Sequence, residues 1–553
     1  MDRQRKVIAI LIVGVVLALV GCGLCWLVYR LAQRDVVNTS GGNAVTLEVA
    51  YSPDKQVLFE DLVKRYNATR PRTSANQRIT VVAGAVEPEA MMQAALSGQF
   101  QAICPDSSVW LTQLDLDWQA QQQTEAALVG ETTRFAVSPV VIAMWEDTAR
   151  SLGYPDKAIG WADLLEHART HPEFKWSHPS TSSASGLLAT LATFYAGADK
   201  TRGLTVEDVT AQSTLDYVAA LEKTVRYYGE GEQAVVAQVQ EKGRDYLDAF
   251  VVQEQLLIQF NLKSREKLVA IYPVEGAMWA DHPLVFLERP DTTADARSAY
   301  RSFSDFLLSP EAQNLVLANA YRPTDLSITL DSAASPIKAA NGVDPSQPKT
   351  TLQIPGAAVI EVVRESWQYA KRKANVYLIA DVSGSMQGEK LEGAREALLT
   401  FLSLIKGDQE RVGLVVFSSD VAEAVPLSEL STSRATLQTE ISGLRAGGDT
   451  ALLDAISLAY DRLQQRQDTE RINAIVVMTD GKENNSRIRL RELTSKLQRG
   501  SQSNAPVVVF CVAYGDDADL DTLEQVSDAS GGQTRLGSTQ TIRELYKLLS
   551  TYF

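Results

Sequence analysis

The sequence has 553 residues, 45% hydrophobic and 22% charged, which is typical of folded protein and excludes a wholly disordered or collagen-like chain. A chain of this length is too long for one hydrophobic core, so two or three domains are expected. The 53 basic and 68 acidic residues leave a net charge of −15, which repels phosphate backbones and argues against nucleic acid as a partner.

The segment 1–35 differs from the rest of the chain. An uncharged run from Val7 to Tyr29 follows the basic residues Arg3, Arg5 and Lys6. As a helix this run would be about 35 Å long, enough to cross a hydrocarbon core about 30 Å thick. Basic residues before such a helix favour a cytoplasmic N-terminus. This pattern predicts a single-pass anchor in the cell membrane, with the body of the chain extracytoplasmic.

A second kind of anchor remains open. The letters "LVGC", which end at Cys22, resemble the lipobox of bacterial lipoproteins, and this resemblance implies a lipid on Cys22 after cleavage. The apolar residues that continue after Cys22 favour the spanning helix instead. Both anchors place the body outside the membrane, and a polar tether, residues 36–44, then leads to the first domain.

Strand-like and helix-like segments alternate from residue 45 to residue 325. The strand-like "VTLEVAY" is followed by a helix for which Ser52 is a suitable N-cap and Pro53 a suitable first residue. "ITVVAG" and "PEAMMQAALSG" repeat the arrangement. Such alternation predicts an α/β domain with a mostly parallel sheet covered by helices on both faces.

Six segments of this region carry a resemblance through their order and spacing. They are "YSPDKQVLFEDLVKRYN", "ICPDSSVWL", "SPVVIAMWED", "HPSTSSASG", "IYPVEG" and "FLLSPEAQNLV". Together they make residues 45–325 resemble a bacterial extracellular solute-binding protein of the two-lobed type that serves ABC importers. The resemblance implies a two-lobed fold, a small solute as ligand and an ABC permease as a partner.

Hydroxyl groups near predicted helix N-termini are the candidates for solute binding. Hydroxyls and helix N-termini can hold a small oxyanion by hydrogen bonds. The candidates are Ser52, Ser107, Ser108, Ser182 and Ser183, together with Tyr272, which lies where such folds line the cleft. The same residues could equally be helix caps and solvated loops. The domain could also have kept its fold only as a scaffold for recognition.

A connector, residues 326–373, leads to a second α/β domain, residues 374–553. The connector ends in a predicted helix with Val359, Ile360, Val363 and Trp367 on one face. In the second domain the apolar strands "NVYLIAD", "RVGLVVFS", "NAIVVMTD" and "PVVVFCVAYG" alternate with amphipathic helices. Continuous apolar strands of this kind are typical of a doubly wound parallel sheet buried on both faces.

Oxygen-bearing side chains follow the strands of this second domain. Asp381, Ser383 and Ser385 follow the first strand, Thr450 comes after "RAGGD", and Asp480 ends "AIVVMTD". Ligands gather at the carboxyl ends of strands in such sheets. Oxygen donors without nearby His or Cys suit a hard cation, Mg²⁺ first, with Mn²⁺ or Ca²⁺ as alternatives. Capping of the next helix by the two serines would explain the first loop but not the other two positions.

These five residues also resemble the metal-ion-dependent adhesion site of von Willebrand factor A domains, which has the pattern DxSxS, a distant Thr and a distant Asp. The resemblance implies hydroxyl ligands and at least one aspartate that acts through water. It leaves a coordination position that an acidic side chain of a partner protein fills. We therefore expect metal-dependent protein adhesion, with the first domain as receptor or scaffold. The alternative is the substrate-binding component of an ABC-type importer, in which the A domain organises the complex.

No enzyme signature is found in the sequence. It contains no GxSxG elbow, no Gly-rich loop ending in GK[ST] and no credible Cys/His pairing. His167 and His171 are four residues apart, with His178 nearby, but exposed and solvated histidines are expected rather than a zinc site. Cys104 and Cys511 fall in different predicted domains, so no disulfide within a domain is expected.

Overall fold

The computed structural model of the protein describes residues 44–229, 231–405, 407–501, 503, 505–515, 517–538, 542 and 546. The predicted membrane anchor, Cys22 and nearly all of the tether lie outside these residues. Among the helices that are described, none has both the length and the apolar character needed to cross a bilayer.

The strands alternate with helices along the described chain. The described strands are β1 (Ala44–Tyr51), β2 (Arg78–Ala85), β3 (Ala102–Cys104), β4 (Val129–Arg134), β5 (Ala136–Trp145), β6 (Trp176–Pro179), β7 (Tyr228–Gly229), β8 (Ala249–Gln253), β9 (Leu268–Ile271), β10 (Trp279–Ala280), β11 (Pro283–Leu287), β12 (Arg322–Pro323), β13 (Ala374–Asp381), β14 (Arg411–Phe417), β15 (Val421–Glu429), β16 (Ile472–Thr479), β17 (Val507–Tyr514) and β18 (Thr534–Gly537).

The described α-helices are α1 (Gln56–Ala68), α2 (Pro88–Leu96), α3 (Leu111–Gln122), α4 (Glu146–Ser151), α5 (Trp161–Thr170), α6 (Ala184–Gly197), α7 (Val206–Thr210), α8 (Gln212–Glu222), α9 (Glu232–Lys242), α10 (Glu254–Lys263), α11 (Ala294–Leu307), α12 (Pro310–Ala318), α13 (Ala357–Ala370), α14 (Glu389–Leu404), α15 (Leu430–Gly443), α16 (Leu452–Arg466), α17 (Leu490–Ser501) and α18 (Leu520–Ser530). The mixed α/β class predicted from the sequence is confirmed.

The chain packs into two compact units, each built from several segments. The first unit consists of the residues up to 146 together with 181–192 and 251–358, and the second consists of 147–180, 193–250 and the residues from 359 onward. Residues 147–180 and 193–250 therefore pack with the C-terminal part of the chain.

The first unit contains a five-stranded sheet in the order β2-β1-β3-β11-β4. β1 runs parallel to β2 and β3, whereas β11 runs antiparallel to β3 and β4. Along β1, Leu47 and Val49 face one core, which includes Phe303 of α11. Ala50 faces a second core, which includes Met91 of α2. Helices therefore cover both faces of this sheet, as the alternation of strands and helices predicts.

Shorter strands complete the two units outside this sheet. In the first unit, β5 pairs in antiparallel fashion with β9, β10 and β12. In the second unit, β6 pairs in parallel with β7 and with the start of β8.

A six-stranded sheet forms the C-terminal part of the second unit, in the order β15-β14-β13-β16-β17-β18. Its neighbouring strands are parallel, except that β15 runs antiparallel to β14. Every residue of β13, β16 and β17 is buried, which explains the continuous apolar runs in the sequence. This packing brings the ends of β13 and β16, which are adjacent strands, to one edge of the sheet.

The described cysteines and histidines were also singled out in the sequence. Cys104 and Cys511 are both buried and free. The rings of His167 and His171 stack with centroids 4.1 Å apart. The expectation of an exposed His178 is wrong, because His178 lies on the buried strand β6 and packs against other aromatic rings there.

Candidate functional site

Asp381 ends β13 and is held by two hydrogen bonds. Its Oδ1 accepts from the backbone N–H of Ser383 at 2.7 Å, and its Oδ2 accepts from the hydroxyl of Thr479 at 2.5 Å. Burial raises the pKa of the Asp381 carboxyl, and the hydrogen bonds from Thr479 and Ser383 offset part of that rise. The carboxylate therefore has a defined orientation at the start of the loop.

The two serines of this loop link Asp381 to Asp480. The hydroxyl oxygens of Ser383 and Ser385 are 3.1 Å apart, and the Ser385 hydroxyl donates to Oδ1 of Asp480 at 2.6 Å. Ser383 and Asp480 are buried, whereas Ser385 is exposed. Four of the five predicted metal-site residues thus form one hydrogen-bonded chain that reaches the surface.

Thr450 lies at the same edge of the sheet. Its backbone N–H donates to Oδ1 of Asn484 at 2.9 Å. A Cβ built on Gly481 would lie 3.3 Å from the Thr450 hydroxyl oxygen and 3.5 Å from that of Ser385. Because both hydroxyls flank the same glycine, the structure brings the fifth predicted residue next to the other four.

Backbone hydrogen bonds join the loop after β13 to the "RAGGD" loop. The N–H of Gly384 donates to the carbonyl of Gly448 at 3.0 Å, and the N–H of Gly447 donates to the carbonyl of Val382 at 2.8 Å. Gly448 has a φ of +91°, and a Cβ there would lie 2.7 Å from the Ser419 hydroxyl. A glycine is required at this position by both its conformation and its contacts.

Lys390 is a charged member of the site that the sequence reasoning missed. It lies in the first turn of α14, and its Nζ donates to Oδ2 of Asp480 at 2.5 Å. Its side chain is 29% exposed, whereas that of Asp480 is fully buried. The sequence feature that could have pointed to Lys390 is its position in the first turn of a predicted helix, where the helix dipole disfavours a cation.

The donor set of this edge fits a hard divalent cation. Within the described residues no group of three or more His, Cys, Asp and Glu side chains could hold a metal. Adjacent ligands of an octahedral Mg²⁺ with bonds of about 2.1 Å are about 3 Å apart. The hydroxyls of Ser383 and Ser385 have this spacing, at 3.1 Å. Both could hold such an ion, with Thr450, Asp381 and Asp480 in support.

Ser52 and Ser107, two of the predicted solute residues, are fully buried in the first unit. Ser52 precedes the 3-10 turn Pro53–Lys55, but its hydroxyl makes no capping hydrogen bond and has no partner in the described part of the chain. The expected cap at Ser52 is therefore not formed. The Ser107 hydroxyl accepts from the N–H of Val109 at 3.2 Å, and the N–H of Ser108 donates to Asp281 at 2.7 Å.

A buried charged cluster lies beside these serines and was not anticipated from the sequence. Lys55 donates to Oδ1 of Asp106 at 2.5 Å and to the carbonyl of Cys104 at 2.9 Å. The ring of His282 lies 3.4 Å from the same carboxylate. Burial alone would raise the pKa of Asp106, but Lys55 and His282 hold it well below its usual range. The pKa of His282 is lowered by burial.

The remaining predicted solute residues make separate contacts. The Ser183 hydroxyl accepts from the N–H of Gly186 at 3.0 Å, in the first turn of α6, and Ser182 is half-buried beside it. The Tyr272 hydroxyl donates to the buried Glu254.

Tyr272 thereby belongs to a second buried cluster. Arg322 donates to both carboxylate oxygens of Glu254, at 2.7 and 2.8 Å. The pKa of Tyr272 is raised well above its ordinary value by burial and by the Glu254 charge. The structure thus places Ser52 and Ser107 in one cluster and Tyr272 in another.

A cavity of about 440 Å³ lies at the opposite end of the first sheet. Phe100, Trp118 and Arg289 are among its lining residues. Phe100 lies just before the start of β3, whereas Ser107 lies after its end. None of the predicted solute residues lines it.

Both resemblances predicted from the sequence are confirmed by comparison with known families. Residues 47–322 match the family model described as bacterial extracellular solute-binding protein. Residues 375–547 match the family model described as von Willebrand factor type A domain.

Curated relatives match about three tenths of the chain. The inter-alpha-trypsin inhibitor heavy chain H4 of Homo sapiens is 27% identical over 170 residues, which is 29% of this chain and 18% of the human protein. The heavy chain H4 of Bos taurus is 28% identical over 172 residues, again 29% of this chain and 18% of the relative. The chain thus spans less than a fifth of the length of these relatives.

Solved structures align with portions of the chain. The sulfate-binding protein SubI from Mycobacterium tuberculosis H37Rv aligns with a TM-score of 0.36 and 17% identity, over 52% of this chain and 88% of that chain. A von Willebrand factor type A protein from Catenulispora acidiphila aligns with a TM-score of 0.30 and 22% identity, over 33% and 43%. These TM-scores are too low to carry information about function.

Proposed function

We propose that the protein is an extracytoplasmic binding protein that binds a partner protein through a divalent metal ion. The chain joins a bacterial extracellular solute-binding domain to a von Willebrand factor type A domain. The observation that carries this proposal is the hydrogen-bonded chain from Asp381 through Ser383 and Ser385 to Asp480. Thr450 completes the set of oxygen donors at the same edge.

The chemistry of these residues favours an acidic partner. When bound, Mg²⁺ supplies positive charge and a coordination position for an outside oxygen. Ser383, Ser385 and Thr450 offer neutral hydroxyl oxygens, so they leave most of that charge uncompensated. The Asp381 carboxylate accepts hydrogen bonds from the Thr479 hydroxyl and from the N–H of Ser383. These two hydrogen bonds fix the conformation of the loop. A carboxylate from a partner is the group that best complements the remaining charge.

We expect magnesium binding to depend on Asp381. Isothermal titration of the full chain with MgCl₂ should show one bound ion per chain, and Asp381→Ala should abolish it. Glu392→Ala, which removes an exposed carboxylate from the neighbouring α14, is the matched control and should bind as the unaltered chain does. Equal binding by Asp381→Ala, or no binding by the unaltered chain, would refute the metal site.

The acidic partner requires its own experiment. A surface coated with polyglutamate should retain the full chain in Mg²⁺ and release it in EDTA, because the carboxylate needs the ion. Asp381→Ala should pass through in both buffers. Retention that EDTA leaves unchanged would show that the contact does not involve a metal.

We further propose that the uncharged run from Val7 to Tyr29 anchors the chain in the cell membrane as a single-pass helix. The match to an extracellular solute-binding family supports an extracytoplasmic body. A lipid on Cys22 is the alternative anchor. The two differ in mass at the N-terminus, since lipidation follows cleavage before Cys22, so mass spectrometry of the N-terminal peptide distinguishes them.

A second candidate function is that of the substrate-binding component of an ABC-type importer, in which the A domain organises the complex. The observation that favours it is the buried hydroxyl of Ser52, which lies beside the Lys55–Asp106 pair without a partner in the described residues. A small oxyanion could accept from this hydroxyl.

A thermal-shift screen of the full chain against sulfate, phosphate, sugars and peptides tests this function. A ligand at 100 times its dissociation constant stabilises the folded state by about 2.7 kcal/mol, which a melting curve detects. Ser52→Ala should weaken the response to the active compound. If no compound stabilises the chain, the first domain acts as a scaffold.

A further inference from the structure

The ion pair between Lys390 and Asp480 brings a cation of the protein itself to the proposed metal site. The Lys390 Nζ lies 2.5 Å from Oδ2 of Asp480. Its side chain passes Gly515, because a Cβ built there would lie 3.7 Å from the Lys390 Cε and 3.8 Å from its Nζ.

The placement of Lys390 is unfavourable unless Asp480 compensates it. Lys390 is in the first turn of the sixteen-residue helix α14, whose N-terminal end carries a partial positive charge. Glu389 and Glu392 occupy the same turn, where acidic residues are normally found. The buried carboxylate of Asp480 is thus what holds a lysine at this helix end.

The two oxygens of Asp480 are divided between two donors. Oδ1 accepts from the Ser385 hydroxyl, and Oδ2 accepts from Lys390. Asp381 and Asp480 carry the negative charges of the proposed metal site, and Lys390 carries a positive charge beside them. Lys390 therefore removes about half of the negative charge that would otherwise face a bound cation.

We propose that Lys390 lowers the affinity of the site for its divalent ion and thereby raises the affinity of the bound ion for an acidic partner. This inference rests on the function proposed above. Since Lys390 neutralises part of the negative charge of Asp480, the protein compensates less of the positive charge of the bound ion. More of the ion's charge is then available to the carboxylate of the partner. Lys390 acts through Asp480 and is a positioning residue rather than a ligand.

Neutral substitution of Lys390 should change metal and partner affinity in opposite directions. In isothermal titration of the full chain, Lys390→Met should lower the Kd for Mg²⁺ by about three- to tenfold, because a nearby like charge is removed. In Mg²⁺ buffer at saturation, the same variant should be retained less well on the polyglutamate surface. Lys390→Gln is a second neutral variant and should behave in the same way.

Two further variants separate charge from shape. Lys390→Arg keeps the positive charge and should restore the Kd for Mg²⁺ to within about twofold of the unaltered chain. Lys482→Met removes an exposed lysine two residues after Asp480, outside its hydrogen bonds, and should change both affinities less than Lys390→Met does.

The outcomes of this experiment are distinct. If the neutral variants bind Mg²⁺ as the unaltered chain does, or more weakly, the inference is overturned. If they bind it more tightly but are retained equally on polyglutamate, the effect on the partner is overturned. If the unaltered chain itself binds no Mg²⁺, the proposed function fails, and this result is recognised before any variant is measured.

Discussion

At the scale of single residues, the Lys55–Asp106 pair is the clearest case of a buried charge with a structural consequence. Both side chains are almost completely inaccessible, and their charged atoms are 2.5 Å apart. The pair joins the turn after β1 to the loop after β3. Two charges in such surroundings are tolerated only together, because each one alone would be buried without compensation.

Removing Asp106 should therefore destabilise the first unit strongly. Asp106→Ala leaves the Lys55 ammonium buried and unpaired, and we expect it to lower the free energy of unfolding by about 3–5 kcal/mol. Denaturant unfolding of the full chain, followed by the fluorescence of its tryptophans, measures this loss. Asp117→Ala removes an exposed carboxylate from α3 and should change stability by less than about 0.5 kcal/mol. Equal effects of the two changes would contradict the assignment.

The same residue predicts an acid-sensitive contribution. The pKa of Asp106 in the folded protein is well below its ordinary value because of Lys55, whereas that of an unfolded Asp is about 3.9. Its stabilising contribution is therefore complete above about pH 5 and is lost as the pH falls through 4 toward the folded pKa.

Melting temperatures measured between pH 6 and pH 3 test this dependence. The unaltered chain should lose stability more steeply over this window than Asp106→Asn, which is less stable at pH 6 but cannot titrate. Parallel curves for the two proteins would show that Asp106 does not carry the effect.

At the scale of elements, α13 is the helix that docks the C-terminal sheet onto β6 and β7 within the second unit. The Trp367 ring packs edge-on against the ring of Tyr228, with centroids 5.2 Å apart. Just after the helix, the N–H of Arg372 donates to the Tyr228 hydroxyl at 2.8 Å, and the Arg372 guanidinium donates to the Val225 carbonyl at 2.8 Å. The buried His178 is part of this contact, which explains why it is not exposed.

Truncation of this anchor should destabilise the second unit. Trp367→Ala removes a fully buried aromatic side chain, and a change of this kind lowers the free energy of unfolding by about 3–5 kcal/mol. Tyr369, on the same helix, is 82% exposed and provides the control. Tyr369→Ala should stay within about 0.5 kcal/mol of the unaltered chain in the same denaturant titration. If Trp367→Ala changes the free energy of unfolding only slightly, the packing of α13 against β6 and β7 does not stabilise the second unit.

At the scale of the whole molecule, the second unit combines residues 147–180 and 193–250 with the C-terminal sheet. Besides the Trp367 contact, Lys242 of α9 donates to Asp528 at 2.8 Å and to the carbonyl of Gly532 at 2.9 Å. Elements joined by contacts such as the buried Trp367–Tyr228 pair tend to open together. The part of the chain that matches the solute-binding family is thus linked physically to the part that carries the proposed metal site.

Hydrogen exchange should reveal this linkage. Mg²⁺ at 100 times its dissociation constant stabilises the state that binds it by about 2.7 kcal/mol. Amides of α8, which lies in the second unit but outside the C-terminal sheet, should then exchange more slowly together with those of β13 and β16. Amides of α11 in the first unit serve as the comparison, and Asp381→Ala should remove the effect. Slower exchange confined to residues 374–538 would contradict a cooperative second unit.

The sequence was sufficient for features that depend on local pattern. The apolar runs of β13, β16 and β17 predicted buried parallel strands, because strands covered on both faces are apolar at every position. Asp381, Ser383 and Ser385 could be singled out because they follow a strand end at short spacing, and the structure does gather them with Thr450 and Asp480. The binding of a metal there remains a prediction.

Only the tertiary structure decided which charges meet. Lys390 and Asp480 are 90 residues apart in sequence, and Lys55 and Asp106 are 51 apart, so no local pattern marks either pair. Likewise, "HPSTSS" gave no sign that His178 would be buried against Trp367. Periodicity and motif spacing are properties of neighbouring residues and can be found in one sequence. Ion pairs and buried polar contacts depend on how distant segments pack, and that packing exists only in the folded chain.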